Sequence, residues 1–173
     1  FRVNAYMQRG TIAAVIRLIP LNIPTLESLS LPPVLKELVL KKRGLILVTG
    51  TTGAGKSTTL AAMVNYMNEH CHSHIITIED PIEFVYQDAK SSICQREVGT
   101  DVNSSYDALI GALRQDPDAI VIGEMRQPET IQTALTAAET GHLVLSTLHT
   151  SDVRTSLDRI LDTIPPEAKN HVR

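Results

Sequence analysis

The chain has no tryptophan, and aromatic residues make up only 3% of its 173 positions. Single-stranded nucleic acid is gripped by stacked aromatic rings along a basic groove. Neither ingredient is present. Lysine and arginine number 16 against 19 aspartates and glutamates, a formal net charge of −3. No basic footprint follows from that balance, so no nucleic-acid partner is expected. Cysteine is scarce as well. Cys71 and Cys94 stand far apart, which excludes a disulfide-stapled scaffold and fits reduced thiols in a cytosolic protein. No apolar run approaches the ~20 residues of a membrane-spanning helix, so no direct membrane span is expected. What remains is a chain 43% hydrophobic and 20% charged, long enough for one sizeable domain core. Phe1-Arg2-Val3-Asn4-Ala5 reads as mid-strand and Arg173 falls inside an apparent helix start. The chain is therefore expected to be a fragment of a longer protein.

Residues 1–6 and 11–19 cluster β-branched residues around Arg9-Gly10 and predict a hairpin. Pro20, Pro24, Pro32 and Pro33 then punctuate a stretch of little regular structure, followed by a short helix over 34–42 with Pro33 near its first turn. This composition shift divides the chain into residues 1–20, a linker or hinge at 21–33, and a core over 34–173. From Leu45 onward strands and helices alternate. Residues 45–49, 75–78, 119–122 and 143–147 are short, nearly all-apolar runs suited to central parallel strands. Helices are predicted over 58–68, over 105–114 with Ser104 or Ser105 as cap, from Pro128 to Gly141, and over 152–164 with Pro165 as the stop. The fold class is α/β, with helices on both faces of a mostly parallel sheet.

Gly50-Thr51-Thr52-Gly53-Ala54-Gly55-Lys56-Ser57, followed by Thr58, satisfies the phosphate-loop pattern at every specified position. A predicted strand precedes it and a predicted helix follows. Such a loop turns backbone N–H groups inward, and the helix N-terminus adds partial positive charge at the same point. Lys56 can then reach the outer phosphates of a nucleoside triphosphate, ATP, while the Ser57 hydroxyl can ligate Mg²⁺. Triphosphate hydrolysis also needs carboxylates at strand ends. Ile78-Glu79-Asp80-Pro81-Ile82-Glu83 supplies them after one strand. Ala119-Ile120-Val121-Ile122-Gly123-Glu124 has the form of a Walker B strand. Asp116 and Asp118 precede that strand, so they face away from the ligand edge and read as turn formers. His149 follows the strand at 143–147 on the nucleotide side. A lone histidine is more often a satisfied core or surface residue, and His70, His72 and His74 read as solvated loop residues rather than a metal site, their spacing fitting no zinc pattern.

Taken in order, these boxes resemble the secretion-ATPase superfamily of type IV pili and type II secretion. The phosphate loop is Gly50 to Ser57, the acidic box Thr77 to Glu83, the Walker B box Ile120 to Glu124 and the histidine box Thr140 to His149. Phrases such as Gln95-Arg96-Glu97-Val98-Gly99, Gly123-Glu124-Met125-Arg126 and Ala137-Ala138-Glu139-Thr140-Gly141-His142-Leu143 are most similar to the pilus-retraction (twitching motility) branch. The resemblance implies a RecA-like P-loop NTPase core, preceded by the last hairpin of a PAS-like N-terminal domain. It implies a homo-hexameric ATPase, cytoplasmic and peripheral at the inner membrane, working on a type IV pilus base and its platform protein. It gives Lys56 and Ser57 to phosphate and Mg²⁺, Glu124 to the Walker B carboxylate and metal shell, Glu83 to the attacking water and His149 to sensing the γ-phosphate. Arg2 and Arg17 match arginines that domain closure swings onto the γ-phosphate. Glu83 and Glu124 both end strands facing the same phosphate, so their spacing leaves the general base open. A pilus-extension or secretion motor stays within the same superfamily. A nucleotide-binding regulatory subunit with little turnover is a separate class, against which the intact Lys56, Glu83 and Glu124 argue.

Overall fold

The computed structural model describes residues 1–20, 22–150 and 152–163. The chain opens with an antiparallel hairpin of β1 (Arg2–Gln8) and β2 (Thr11–Arg17). Arg9 and Gly10 make its turn with φ of 50° and 78°, the left-handed pair that a tight hairpin turn requires. Both faces of the hairpin are open to solvent. Val3, Met7, Ile12, Val15 and Ile16 are each more than half exposed.

The Pro-rich stretch that follows is not uniformly loose. Leu26 is 2% exposed, and Leu29, Leu31 and Leu35 pack with it. Helix α1 (Val34–Val39) starts at Pro33 and stops short of the expected Lys42.

The remaining strands, β3 (Gly44–Thr49), β4 (His74–Glu79), β5 (Ser92–Glu97), β6 (Ala119–Ile122) and β7 (Leu143–Leu148), form one sheet in the order β3-β7-β6-β4-β5. Every neighbouring pair is parallel. Side chains alternate across it with the strand period of two. Ile76 and Ile78, Ile120 and Ile122, and Val144 face a layer built from α3 (Ser105–Ala112), α4 (Pro128–Glu139) and α5 (Val153–Thr163). Ile75, Ala119 with Val121, and Leu143 with Leu145 face α1 and α2 (Lys56–His70). The result is helices on both faces of a parallel sheet, as the run of apolar segments predicts.

Four of the five sheet strands lie at the predicted runs. β5 was not among them. Its residues, Ser-Ile-Cys-Gln-Arg-Glu, are mostly polar and, after Ser92, half-buried, because an edge strand has a neighbour on one side only and needs no continuous apolar run. Helix α2 begins at Lys56 rather than Thr58, since Gly55 takes a left-handed conformation (φ 88°) directly before it. Ser104, not Ser105, caps α3, accepting from the Asp107 amide at 3.0 Å. Asp116 turns with φ 51°, and Asp118 accepts from the His74 amide at 2.7 Å. His70 and His74 belong to elements rather than a loop. His70 ends α2 stacked on Tyr66 at 4.0 Å, and His74 opens β4. The predicted end of the last helix at Ile164 and Pro165 lies outside the described residues.

Candidate active site

Because every sheet strand runs the same way, the C-terminal ends lie along one edge, where ligands bind in open α/β sheets. The register aligns Thr49 with Leu148, Ile122 with Ser146, and Ile78 with Ile122. The residues that follow are therefore brought into one row: Gly50 after β3, His149 after β7, Gly123-Glu124 after β6 and Asp80 after β4. Short bonds lock the row. Gly123 N–H donates to Ile78 C=O at 2.8 Å, the Thr147 hydroxyl to Gly123 C=O at 2.7 Å, and the Ser146 hydroxyl to Ile122 C=O at 2.7 Å.

In the phosphate loop, Gly50 has a φ of 153°, and a Cβ there would lie 3.1 Å from the Ala54 Cβ. Side chains are thus excluded where the loop folds back on itself. Lys56, the first residue of α2, is only 7% exposed. Its Nζ donates to the carbonyls of Gly50 and Thr51, at 2.9 Å each, and lies 3.4 Å from His149 Nδ1. A lysine ammonium has no acceptor, so His149 Nδ1 must be the unprotonated nitrogen. His149 Nε2 then carries the proton and faces Glu124 Oε2 at 3.4 Å. On its other side the same Oε2 receives Arg126 Nε at 2.8 Å, and Arg126 also reaches toward Asp80 at 3.9 Å. A polar chain of alternating donors and acceptors, Lys56–His149–Glu124–Arg126–Asp80, thus runs along the strand ends.

These groups border a cleft of about 670 Å³. Thr52, Gly53, Gly55, Lys56, Ser57 and Thr58 form one wall. Glu83, Glu124 and His149 line it as well, and so does Arg17 of the hairpin. Gly50, Thr51 and Ala54 shape the loop without lining the cleft. Arg2 pairs in register with Arg17 across the hairpin but is not among the lining residues.

Glu79 and Arg126 fall inside the acidic box and the Gly123-Glu124-Met125-Arg126 phrase, but the sequence assigned neither a role of its own. Arg126 is a charged residue in a connection, and only its contacts with Glu124 and Asp80 give it a place here. Glu79 is the last residue of β4 and its carboxylate accepts from the Thr77 hydroxyl at 2.6 Å and Gln95 Nε2 at 3.0 Å. Burial pushes its pKa above the usual carboxylate value despite those bonds. Glu83, farther along the loop, is exposed on the cleft.

The hard oxygens of the Ser57 hydroxyl and the Glu124 carboxylate, both lining the cleft that Lys56 enters, are the donor set a divalent magnesium ion takes. They fit such an ion. Among the described residues, no helix is long and apolar enough to cross a membrane.

Comparison with known proteins agrees with this geometry. The family model of type II/IV secretion system proteins matches residues 7–166. The chain is 55% identical over 173 residues to the twitching motility protein of Neisseria gonorrhoeae, covering all of this chain and 46% of that protein. It is 53% identical over 173 residues to the type IV pilus retraction ATPase PilT of Pseudomonas aeruginosa, covering all of this chain and 50% of that one. A crystal structure of the pilus retraction motor PilT with bound ADP superimposes with a TM-score of 0.96 at 53% identity, over 99% of this chain and 50% of that one. The chain thus spans about half the length of the curated relatives it matches. A parallel sheet carrying a phosphate loop, a Walker B carboxylate and a histidine on one edge, matched over nearly its whole length by the family model, places the chain in the type II/IV secretion system protein family.

Proposed function

We propose that the chain is the nucleotide-hydrolysing part of a pilus-retraction ATPase, working as a homo-hexamer at the cytoplasmic face of the inner membrane. The observation that carries the proposal is the convergence of Lys56, Glu124, His149 and Glu83 on one cleft beside the phosphate loop. The relatives named for twitching motility and pilus retraction support the same reading. The pilus base and its platform protein are the proposed partners.

In this reading ATP lies with its β-phosphate in the loop formed by Gly50 to Ser57. The Lys56 ammonium exchanges the Gly50 and Thr51 carbonyls for phosphate oxygens. Ser57 and Glu124 would hold Mg²⁺, which when bound neutralises phosphate charge. Glu124 suits a fixed shell because Arg126 and His149 pin its Oε2 from two sides. Glu83, with its carboxylate open to the cleft, orients the attacking water. His149, already linked to Lys56 and Glu124, registers the γ-phosphate through both nitrogens. Arg17 reaches the cleft and Arg2 stands beside it in the hairpin, so closure of the hairpin on a hinge ahead of Leu26 brings both guanidinium groups to the γ-phosphate.

Steady-state turnover and nucleotide affinity of the full-length protein test these roles. Glu83→Gln is expected to keep affinity and lower turnover by about 10²–10⁴-fold, the usual contribution of a positioned base. Glu124→Gln is expected to lose Mg²⁺-dependent affinity as well. A Glu83→Gln variant that turns over normally would remove that residue from the chemistry.

A further inference from the structure

Between β4 and β5 the chain runs through residues 80–91 without regular structure, yet its backbone groups are held at close intervals. The holding groups come from side chains of the edge strand β5 and of α2. Ile82 N–H donates to Glu97 Oε2 at 3.0 Å, and Tyr86 N–H to Gln95 Oε1 at 2.9 Å. Gln95 Nε2 donates to Phe84 C=O at 2.9 Å and to Glu79 Oε1 at 3.0 Å. Farther on, Asn68 of α2 donates to Gln87 C=O at 2.8 Å and accepts from Ala89 N–H at 3.0 Å. The edge strand thus lends its side chains where it has no neighbouring strand.

Glu83 lies inside this clamped segment, between Ile82 and Phe84. Its backbone amide also bears on the Glu79 carboxylate. Gln95 is the centre of the clamp, since among the described residues it alone bonds to the loop on both sides of residue 85 and to the end of β4. Its amide has one workable orientation. Flipped, it would set an acceptor against Glu79 Oε1 and Phe84 C=O, and a donor against Tyr86 N–H.

We propose that Gln95 is a positioning residue for hydrolysis: bonded to Phe84, Tyr86 and Glu79, it fixes the loop that carries Glu83 against the nucleotide cleft. The proposal rests on the reading of Glu83 as the carboxylate that orients water. Gln95 itself does not line the cleft. It acts through the position of Glu83, and a misplacement of about 1 Å can cost about 10²-fold in rate.

The test uses the full-length protein, with Gln95→Leu, Gln95→Glu, Glu83→Gln and the Gln95→Leu/Glu83→Gln pair. Gln95→Leu keeps the volume and removes every bond. It is expected to lower kcat by about 10²-fold while KM for ATP stays within about threefold. In the Glu83→Gln background the same substitution is expected to cost nothing further, because the residue it positions is already disabled. Gln95→Glu places a second carboxyl group against Glu79. Above the pKa of the pair the two repel, whereas one shared proton restores a donor between them. Its kcat relative to wild type is therefore expected to rise as pH falls from about 8 to about 6, a dependence that a merely structural role would not produce. Thermal unfolding of each variant identifies any that fails to fold, and the pH response of Gln95→Glu then decides. Unchanged kcat in Gln95→Leu, or an equal loss in both backgrounds, overturns the positioning role. If Glu83→Gln alone is fully active, the reading of Glu83 fails instead, and the two failures are distinguishable.

Discussion

Lys56 carries most of the charge logic at the scale of single residues. It is nearly buried, and an isolated buried ammonium is costly, so two loop carbonyls and the His149 ring surround it. In the proposed complex, phosphate oxygens replace the two carbonyls with anionic acceptors. Hydrogen bonds to charged groups contribute about 1.5–3 kcal/mol, so Lys56→Ala is expected to weaken nucleotide binding by about 10–100-fold, read by titration calorimetry. Glu79 is the opposite case, an acid whose proton the fold holds more tightly than water does. Its pKa is raised from 4.5 by burial, which outweighs the bonds from Thr77 and Gln95. The native state therefore holds this proton more tightly than the unfolded chain does. The associated stabilisation is full below pH 4.5 and fades as pH rises through the higher native value. Glu79→Gln removes that titration, and its amide oxygen can still accept from Thr77 and Gln95. Urea midpoints across the acidic range are expected to show wild type losing ground to the variant as pH increases. Parallel curves would mean that Glu79 does not titrate differently in the folded chain.

At the scale of elements, the sheet strands differ in how much of themselves they show in sequence. β4, β6 and β7 are buried on both faces, and their apolar runs announce them. β5 has a free edge and polar residues that serve the neighbouring loop, so the signals that mark a central strand are missing. Helix α2 extends the same clamp through Asn68, which is 2% exposed. Asn68 satisfies Gln87 C=O and Ala89 N–H with its side chain and Lys90 and Ser91 N–H with its carbonyl. Asn68→Ala removes both side-chain partners from these part-buried groups, and each lost bond is worth about 0.5–1.5 kcal/mol. The variant is expected to unfold at correspondingly lower urea, with faster amide exchange in residues 87–91.

On the scale of the whole molecule, stability is concentrated in the sheet and its two helical layers, while the hairpin contributes little. Ile120 is fully buried in the central strand β6, whereas Ile12 is 80% exposed on the hairpin. Ile120→Ala is expected to destabilise the 173-residue chain by about 2–5 kcal/mol through lost contacts and the cavity left behind. Ile12→Ser is expected to shift it by less than about 0.5 kcal/mol. Urea denaturation of both separates the two expectations. The linker is split in the same manner. From Leu26 onward it belongs to the α1–α2 layer, so the proposed hinge motion is confined to the residues ahead of it.

The sequence by itself determined the phosphate loop, the central strands and the parallel α/β class. Each of these is a local matter: glycines that permit a tight cradle, apolar runs that must be buried on both faces, and caps that start and stop helices. Only the tertiary structure decided which side chains share the cleft. Strand order sets β7 between β3 and β6, and this brings His149 between Lys56 and Glu124. The same assembly brings Arg126 toward Asp80 and folds Gln95 of an edge strand onto the loop of Glu83. Contacts between residues distant along the chain depend on register and packing across the whole sheet, which no local pattern of residues encodes.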